Sequence, residues 1–515
     1  MIKKKQIKLL NYLSVDLRWL RITVSAVILL GLTLLTSYGQ SIVIGPYLQN
    51  VTTNAVTVIW WTDFSTAGKT TRVEYGAGLS SFCNAVQTEE SSFSAYSYRY
   101  KQQAVITGLT TGMEYNYKVV SDNSSSSTNT FSIASGRNEN IHFAVMGDGR
   151  NDSSDIIARH KMVFTKALVY GADFIVYGGD MVRYGSSTTP SLDEDWKQYL
   201  TEIMCNGGSQ TGSGIGNKIP VYMAVGNHEI YESGPGYTGG LTTSMARFKA
   251  VCDNPDNGSV TADWKERYYS FSYGPCYFIY LDANNTSDNV LDNHDYLADG
   301  TTPDWEPGSE QYIWMTNQLA YAQDNAAMTF VVLHPSPFSR GVHGDPSDTQ
   351  RGYQLRTLDS VFRQYGVDGL MVSHDHMSER CVTGASGYQN EYTGGLTNAL
   401  TWRDEDNLNY FTVGNSGQAS RIADVGWENW MDITDNNAAP YYTAYFYSWA
   451  GNDSYASFLD VNVAWNSANS KWHTTFKVVR TDAAGNTSTY DEFWIERSDP
   501  LVIPPTGIGT MVRTR

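Results

Sequence analysis

Ile141-His142-Phe143-Ala144-Val145-Met146-Gly147-Asp148-Gly149-Arg150 is an apolar run that stops abruptly at glycine, aspartate and glycine. A short run rich in Val, Ile and Phe reads as a buried strand. The same pattern returns four times. Phe174 to Tyr177 precedes Gly178-Gly179-Asp180, and Pro220 to Val225 precedes Gly226-Asn227-His228-Glu229. Thr329 to Leu333 leads into His334-Pro335, and Gly369 to Val372 into Ser373-His374-Asp375-His376. In an open α/β sheet, side chains just past the carboxyl ends of such strands converge on one crevice.

The residue types point to metal chemistry. Carboxylate, amide oxygen and imidazole together suit Zn, Fe, Mn and similar ions. Two cations about 3.5 to 4 Å apart can hold a hydroxide and clamp the attacking and leaving oxygens of an in-line displacement at phosphorus. On this reading Asp180 bridges the two ions, Asp148 and His376 serve one, and Asn227, His334 and His374 serve the other. His374 and His376 alternate with Asp375, so in an extended segment their imidazoles point the same way, one toward each ion.

Asp, then Gly-Asp, then Gly-Asn-His-Glu, then a lone His, then His-x-His, over residues 148 to 376, resembles the calcineurin-like metallophosphoesterase superfamily and most of all its purple acid phosphatase branch. One Gly-Asp after a strand is an ordinary turn; the whole set in this order is specific. The resemblance implies an α/β (α+β) sandwich of two mixed sheets flanked by helices. It implies two divalent or trivalent ions (Fe, Zn or Mn) and hydrolysis of a small phosphate monoester by a metal-activated hydroxide. It also implies that His228 is a general acid or transition-state stabiliser. The alternative for His228 is a hydrogen bond that orients a neighbouring carboxylate. His343 lies in a Gly-rich loop nine residues after His334, where relatives carry a substrate-facing His; the alternative is a solvated loop residue. Glu229 is assigned a supporting role behind the ligands, while His142, His160, His294 and His473 match no motif.

Two departures stand out. Where many members place a His two residues after the first Asp, this chain has Arg150. Where purple acid phosphatases place a Tyr three residues after the second Asp, it has Arg183. The first ion thus loses a ligand and is expected to be completed by water, unless Tyr184 reaches in through a one-residue slip of its loop. Arg150 and Arg183, with Asn227 and His228, are candidates for gripping phosphate oxygens. The rival functions are a phosphodiesterase or nucleotidase on the same metals, and a non-catalytic surface binding protein kept open by the missing ligand.

The chain has 515 residues, of which 17% are charged, with 45 Gly and 35 Tyr. That length requires more than one core, and that composition fits a β-rich, loop-heavy secreted protein. Lys3, Lys4, Lys5, Lys8, Arg18 and Arg21 precede an apolar run from Ile22 to Leu35 and a small-residue region to Gln40, so residues 1–40 read as a signal peptide. An uncleaved anchor is the alternative, although the run is short for a spanning helix. The expected location is secreted or periplasmic. Removal of that segment takes six basic residues and one acidic residue from a net charge of -17, leaving about -22. Such a field repels nucleic acid and phosphate alike, so attraction must be local and no nucleic-acid polymer is expected as partner. Five cysteines allow at most two disulfides, Cys205 with Cys252 being one conceivable pair.

Residues 41–135 read as a separate all-β module. Its strands are Ala55 to Trp61, Arg72 to Tyr75, Ala104 to Ile106 and Asn116 to Val120. Leu109 with Tyr115 six residues later resembles the tyrosine corner of fibronectin type III sandwiches. Purple acid phosphatases often carry such a domain at this place, as lid, glycan-contacting surface or plain scaffold. Ser121 to Asn140, rich in Ser, Asn and Gly, reads as a hinge into a catalytic domain over 136–500, followed by a tail over 501–515. Helices are expected over Asp155 to Tyr170 after the capping Ser153-Ser154, over Ser309 to Gln323 and over Gln354 to Tyr365. Tyr410 to Val413, Tyr441 to Tyr447, Ala456 to Val463, Thr474 to Val479 and Phe493 to Glu496 should build the second sheet, and Asn206 to Gly216, Asn284 to Asp304 and Tyr388 to Asn398 long loops. Asp282 reads as a strand-end cap.

Overall fold

The computed structural model describes residues 41–78, 82, 84–92, 100–183, 193–230, 241–283, 303–339, 341, 343, 352–383, 408–418, 444–446 and 455–501. The leader over 1–40, Tyr184, Cys83, most of the tail and the loops over 284–302 and 388–398 lie outside these residues. No helix among the described residues is long and apolar enough to cross a membrane.

Two mixed sheets carry the site. One runs Val221–Met223, Phe174–Tyr177, Ile141–Met146, Ala456–Asn466, Lys471–Thr481, Thr487–Arg497. Its first three strands are parallel, and Ile141–Met146 is antiparallel to Ala456–Asn466. The other runs Tyr269–Tyr273, Cys276–Tyr280, Met328–Pro335, Gly369–Ser373, Leu408–Val413, Ser378–Thr383, Ala444–Phe446. The expectation that the late strands build the second sheet is corrected. Leu408–Val413 and Ala444–Phe446 join Met328–Pro335 and Gly369–Ser373, whereas the strands after Ala456 extend the sheet that holds Asp148. Apolar runs specify burial but not neighbours, which long-range pairing decides.

Phe143, Phe174, Phe278, Phe330, Phe411 and Phe476 fill the space between the sheets in one buried cluster. Phe143 meets Phe278 edge-on at 5.2 Å and lies nearly parallel to Phe174 at 5.1 Å. The helix Ser154–Tyr170 covers the outer face of the first sheet through Val163, Phe164 and Ala167. Glu310–Asn325 covers the second through Met315, Leu319 and Ala322. Ser153 and Ser309 cap these helices, each accepting a backbone N–H three residues on, as Ser does at this position. The third expected helix is split, a 3-10 turn over Gly352–Leu358 leading into Asp359–Gln364.

The N-terminal segment forms two antiparallel sheets. One is ordered Ile42–Gln49, Ala55–Thr62, Tyr100–Thr107, Glu89–Ser92, and the other is built on Thr71–Ala77 and Glu114–Ser121. Tyr115 Oη accepts the Thr110 N–H at 3.0 Å, the closure that the Leu109 to Tyr115 spacing predicts. Ser121 to Asn140 is not a hinge. Asn129–Ser132 pairs with Glu114–Ser121, and Ile133 and Ala134 are buried. The module then continues into the main core: Leu48, Val56 and Tyr117 share one cluster with Tyr222 and Phe278. Tyr117 Oη donates to the Asn217 carbonyl at 2.7 Å and Tyr222 Oη to the Val51 carbonyl at 2.7 Å.

Three smaller expectations are also corrected. Cys205, Cys252, Cys276 and Cys381 are buried free thiols, and Cys205 and Cys252 lie unbridged in the same apolar core. Asn206 to Gly216 contains a short hairpin, Asn206–Gly207 with Gln210–Thr211. Asp282 does not cap its strand; it holds the fully buried Arg267, with Nε and Nη2 each 2.7 Å from its Oδ2.

A shared core means shared unfolding. Urea titration should give one transition for the N-terminal and catalytic segments. Tyr117→Phe, which leaves a buried carbonyl without its donor, should lower stability by about 1 to 2 kcal/mol without splitting that transition. Two separated transitions would show that the segments fold independently.

Candidate metal centre

The loops that leave the strands are pulled together by one carboxylate. Glu229, fully buried, accepts the N–H groups of Asp180 and Gly226 on Oε2 and those of Met181 and Val182 on Oε1, at 2.8 to 3.4 Å. Burial and the Asp180 carboxylate push it up to about 8, against the four donors, which favour its charged form. The fit allows no side chain on the neighbouring glycines. A Cβ on Gly226 would stand 2.4 Å from Asp180 N, and Gly179, at φ +98°, faces the His334 ring.

Within this frame, groups that repel one another are held in contact. His334 lies at 2.7 Å, through Nδ1, from the Gly178 carbonyl, so Nδ1 carries the proton and Nε2 the lone pair. Burial holds this imidazole below its ordinary range, against the pull of the Asp180 carboxylate. That Nε2 lone pair nevertheless sits 2.8 Å from Asn227 Oδ1, 3.2 Å from His374 Nδ1 and 3.3 Å from Asp180 Oδ1. Asn227 Oδ1 is in turn 3.0 Å from His374 Nδ1. Oxygen and nitrogen lone pairs converging this closely in a buried pocket fit a cation at their centre. Asp148, Asp180 and His334 present ligand atoms within 4.8 Å of one another, all three buried.

Asp148 completes the other side. Its Oδ2 accepts the His374 N–H at 2.7 Å, and its Oδ1 lies 3.6 Å from His376 Nε2. The segment that carries the two histidines is not extended. His374 takes φ +73°, and tight turns close between Ser373 and Asp375 and between Asp375 and Met377. That turn, not strand alternation, sends His374 to Asn227 and His376 to Asp148. His343 stacks on the His374 ring at 4.0 Å, and its N–H reaches Asp375 Oδ1 at 3.4 Å, so it is buried at the site and not a solvated loop residue. Asp180 is held well below the usual carboxylate range by His228, His334 and Arg150, which outweigh its burial.

The two arginines diverge. Arg150, at φ +50°, donates from Nε to Asp152 Oδ2 at 2.8 Å, pairs through Nη2 with Asp152 Oδ1, and reaches His228 Nε2 from Nη1 at 2.7 Å. His228 Nδ1 is 2.6 Å from the Arg183 carbonyl, and its Nε2 is 3.7 Å from Asp180 Oδ2. Arg183 itself is half exposed, with its Nε 3.7 Å from Asp152 Oδ1. Burial and Arg150 hold His228 below its ordinary range, against the pull of Asp180.

All the expected ligands, Asp148, Asp180, Asn227, His334, His374 and His376, thus meet in one buried pocket with Arg150, His228 and His343 at its edge. Sequence reasoning missed three supports. Asp152 grips Arg150. Asn151 Oδ1 accepts the Arg183 N–H at 2.7 Å. His160 lies behind the Asp148 loop, with Nδ1 3.1 Å from the Arg150 carbonyl and Nε2 2.9 Å from Tyr177 Oη, which accepts the Gly149 N–H. The Asn151-Asp152 pair directly after the first motif was the available signal for the first two; for His160, one polar residue on the buried face of a helix was the only one.

Comparison with known proteins agrees with this fold. The calcineurin-like phosphoesterase family model matches residues 141–378, and the purple acid phosphatase N-terminal domain model matches residues 44–133. Purple acid phosphatase PPD1 from yellow lupin (Lupinus luteus) seeds is similar in fold, with TM-score 0.62 and 16% identity over 90% of this chain and 77% of that one. The structure of PhoD is also similar in fold, with TM-score 0.57 and 12% identity over 89% of this chain and 91% of that one. No curated protein sequence matches the chain.

His160 makes the fold acid-sensitive. Burial lowers it from 6.5 to about 4, so between those values the unfolded chain takes up a proton that the folded chain refuses. Stability should be full above pH 6.5 and fall by up to about 1.4 kcal/mol per pH unit toward pH 4. His160→Asn should be less stable at pH 7 yet lose less across that window in urea titrations; an equal loss would remove His160 as the cause. Glu229→Gln places an N–H₂ against backbone donors and should cost about 2 to 4 kcal/mol, read by thermal unfolding.

Proposed function

From the premise that this chain joins a calcineurin-like phosphoesterase domain to a purple acid phosphatase N-terminal domain, we propose that it is a dinuclear-metal phosphatase for phosphate monoesters of small molecules. The observation that carries the reading is the buried knot of lone pairs on Asp180, Asn227, His334 and His374, with Asp148 and His376 beside it. In this reading Asp148, His376 and Asp180 would hold one ion, and Asp180, Asn227, His334 and His374 would hold the other. When bound, the metals supply Lewis acidity that activates water and neutralises charge on the phosphoryl group.

The chain's own side chains do the rest. Arg150, with Arg183 beyond it, binds phosphoryl oxygens, a task that suits a guanidinium fork. His228 keeps its Nδ1 proton on the Arg183 carbonyl and accepts from Arg150 on Nε2, so it steadies the guanidinium and the charge that develops beside it. Delivery of the proton to the leaving oxygen falls to His343, stacked over His374 at the pocket. The N-terminal segment is a scaffold in this reading, because its core is continuous with the catalytic one. The net charge of -17 and the leader-like sequence over residues 1–40 support an exported enzyme that takes small substrates and not nucleic-acid polymers.

After reconstitution with Zn, Mn or Fe, the protein should bind about two ions per chain and hydrolyse p-nitrophenyl phosphate well ahead of bis(p-nitrophenyl) phosphate. Asp180→Ala should remove activity by a factor of about 1,000 or more and most of the bound metal. Preference for the bis-ester would move the assignment to a phosphodiesterase. Less than one ion per chain with no turnover would make it a binding protein.

A further inference from the structure

We propose that Asp152, with Gln418 bracing it, is a positioning residue that aims Arg150 at the phosphoryl oxygens of the substrate. The inference rests on the phosphatase reading above and adds to it the device that makes an arginine usable where relatives carry a metal ligand. Arg150 sits on a backbone with φ +50°, flanked by Asp148 at φ +51°. A long side chain leaving such a turn has many rotamers, and holding one of them costs entropy. Asp152 removes that freedom. It takes Nε at 2.8 Å and pairs with Nη2, so that the inner edge of the planar fork is fixed in two places.

The carboxylate is itself fixed. Gln418 Nε2 donates to Asp152 Oδ2 at 2.6 Å. Gln418 comes from the loop after Leu408–Val413, whose backbone is bonded to the Asp148 loop: Gln418 N–H donates to the Asp148 carbonyl at 3.1 Å and Ser416 N–H to the Gly147 carbonyl at 3.1 Å. The brace therefore moves with the first metal-binding loop. At the other end of the guanidinium, Nη1 meets His228 Nε2 at 2.7 Å. Among the described residues these contacts use Nε and one hydrogen on each terminal nitrogen, which leaves the second hydrogen of Nη1 and of Nη2 for a ligand. Arg150 is 15% solvent-exposed in its side chain, enough for an anion to reach it.

The chemistry recognised is a tetrahedral oxyanion with at least two equatorial oxygens, as in a phosphate monoester or inorganic phosphate. Lys would not serve at this position, since a point charge cannot be clamped along one edge and offered along another.

The test uses the metal-loaded full chain, with p-nitrophenyl phosphate for turnover and inorganic phosphate for binding by calorimetry. Asp152→Asn should raise KM and weaken phosphate binding by roughly tenfold or more, with kcat within about threefold and metal content unchanged. Gln418→Met should do the same by about two- to fivefold. Because both act through Arg150, combining either with Arg150→Ala should cost no more than Arg150→Ala alone. Losses that add in the double variants, or an unchanged KM and phosphate affinity, overturn the proposal. If Asp152→Asn fails to fold or loses metal, the Gln418→Met and Arg150→Ala pair decides by the same criterion. A wild-type protein that binds phosphate but turns over no monoester would sink the phosphatase reading, and the phosphate affinities of the variants would still decide this one.

Discussion

Mutual repulsion at the centre of the molecule is the constraint on which the rest depends. An amide oxygen and a carboxylate oxygen stand 2.8 and 3.3 Å from one buried imidazole lone pair. Nothing in the donors themselves holds them there. Three of the residues involved also sit in the left-handed backbone region that side chains avoid, Asp148 at +51°, Asp180 at +59° and His374 at +73°. Such positions persist only where the surroundings over-determine them. Here the surroundings are identifiable: four backbone donors on Glu229, the Gly178 carbonyl on His334, Asp148 Oδ2 on the His374 N–H, and glycines too close to their neighbours to carry a side chain. A cation that binds only the folded chain would relieve the repulsion, and its binding would then be coupled to folding.

The architecture serves this convergence in a particular way. The ligands do not come from one sheet. Asp148, Asp180 and Asn227 follow strands of the first sheet, while in the second His334 lies near the end of Met328–Pro335 and His374 and His376 follow Gly369–Ser373. The pocket is therefore a seam between two sheets, and its precision depends on their packing. The aromatic layer that includes Phe143, Phe278, Phe330 and Phe411 fixes that packing, since interiors packed this densely do not slide. The N-terminal segment adds to the same layer, which explains why a stretch that reads as a hinge in composition is a paired strand in fact.

What was legible in the sequence follows from this arrangement. Each proposed ligand sits one to four residues past an apolar run, and both the run and the loop are local patterns, so all six could be proposed from the chain alone. The turn at His374 was not legible, because His-Asp-His has no glycine to announce a left-handed residue; the turn is imposed by Asp148 from 226 residues away. Sheet membership failed for a similar reason: the apolar faces of Ala456–Asn466 and Leu408–Val413 look alike, and only their partners distinguish them. Asp282 shows the same limit. At the end of an apolar run it reads as a cap, while its actual partner, Arg267, lies in a segment whose burial no local pattern reveals. His160 was passed over because one histidine on a helix face carries no spacing signal.

The substitution at Arg150 changes the electrostatics of the pocket, not only its ligand count. A neutral histidine ligand contributes a lone pair, which adds to the crowd of donors; a guanidinium contributes a positive charge and takes none of the metal's coordination. Placed beside Asp180 and Asp152, it favours their ionised forms, as both record by lying below their ordinary range. It also opposes the entry of a cation on its own side. In the proposed reading the two metal positions are therefore unequal, the one formed by Asp180, Asn227, His334 and His374 being the better defined. The positive charge given up to a weaker first ion is returned as a fixed one. In a chain with a net charge of -17, where the overall field turns phosphate away, such short-range fixed charge is what can hold the substrate once it has arrived.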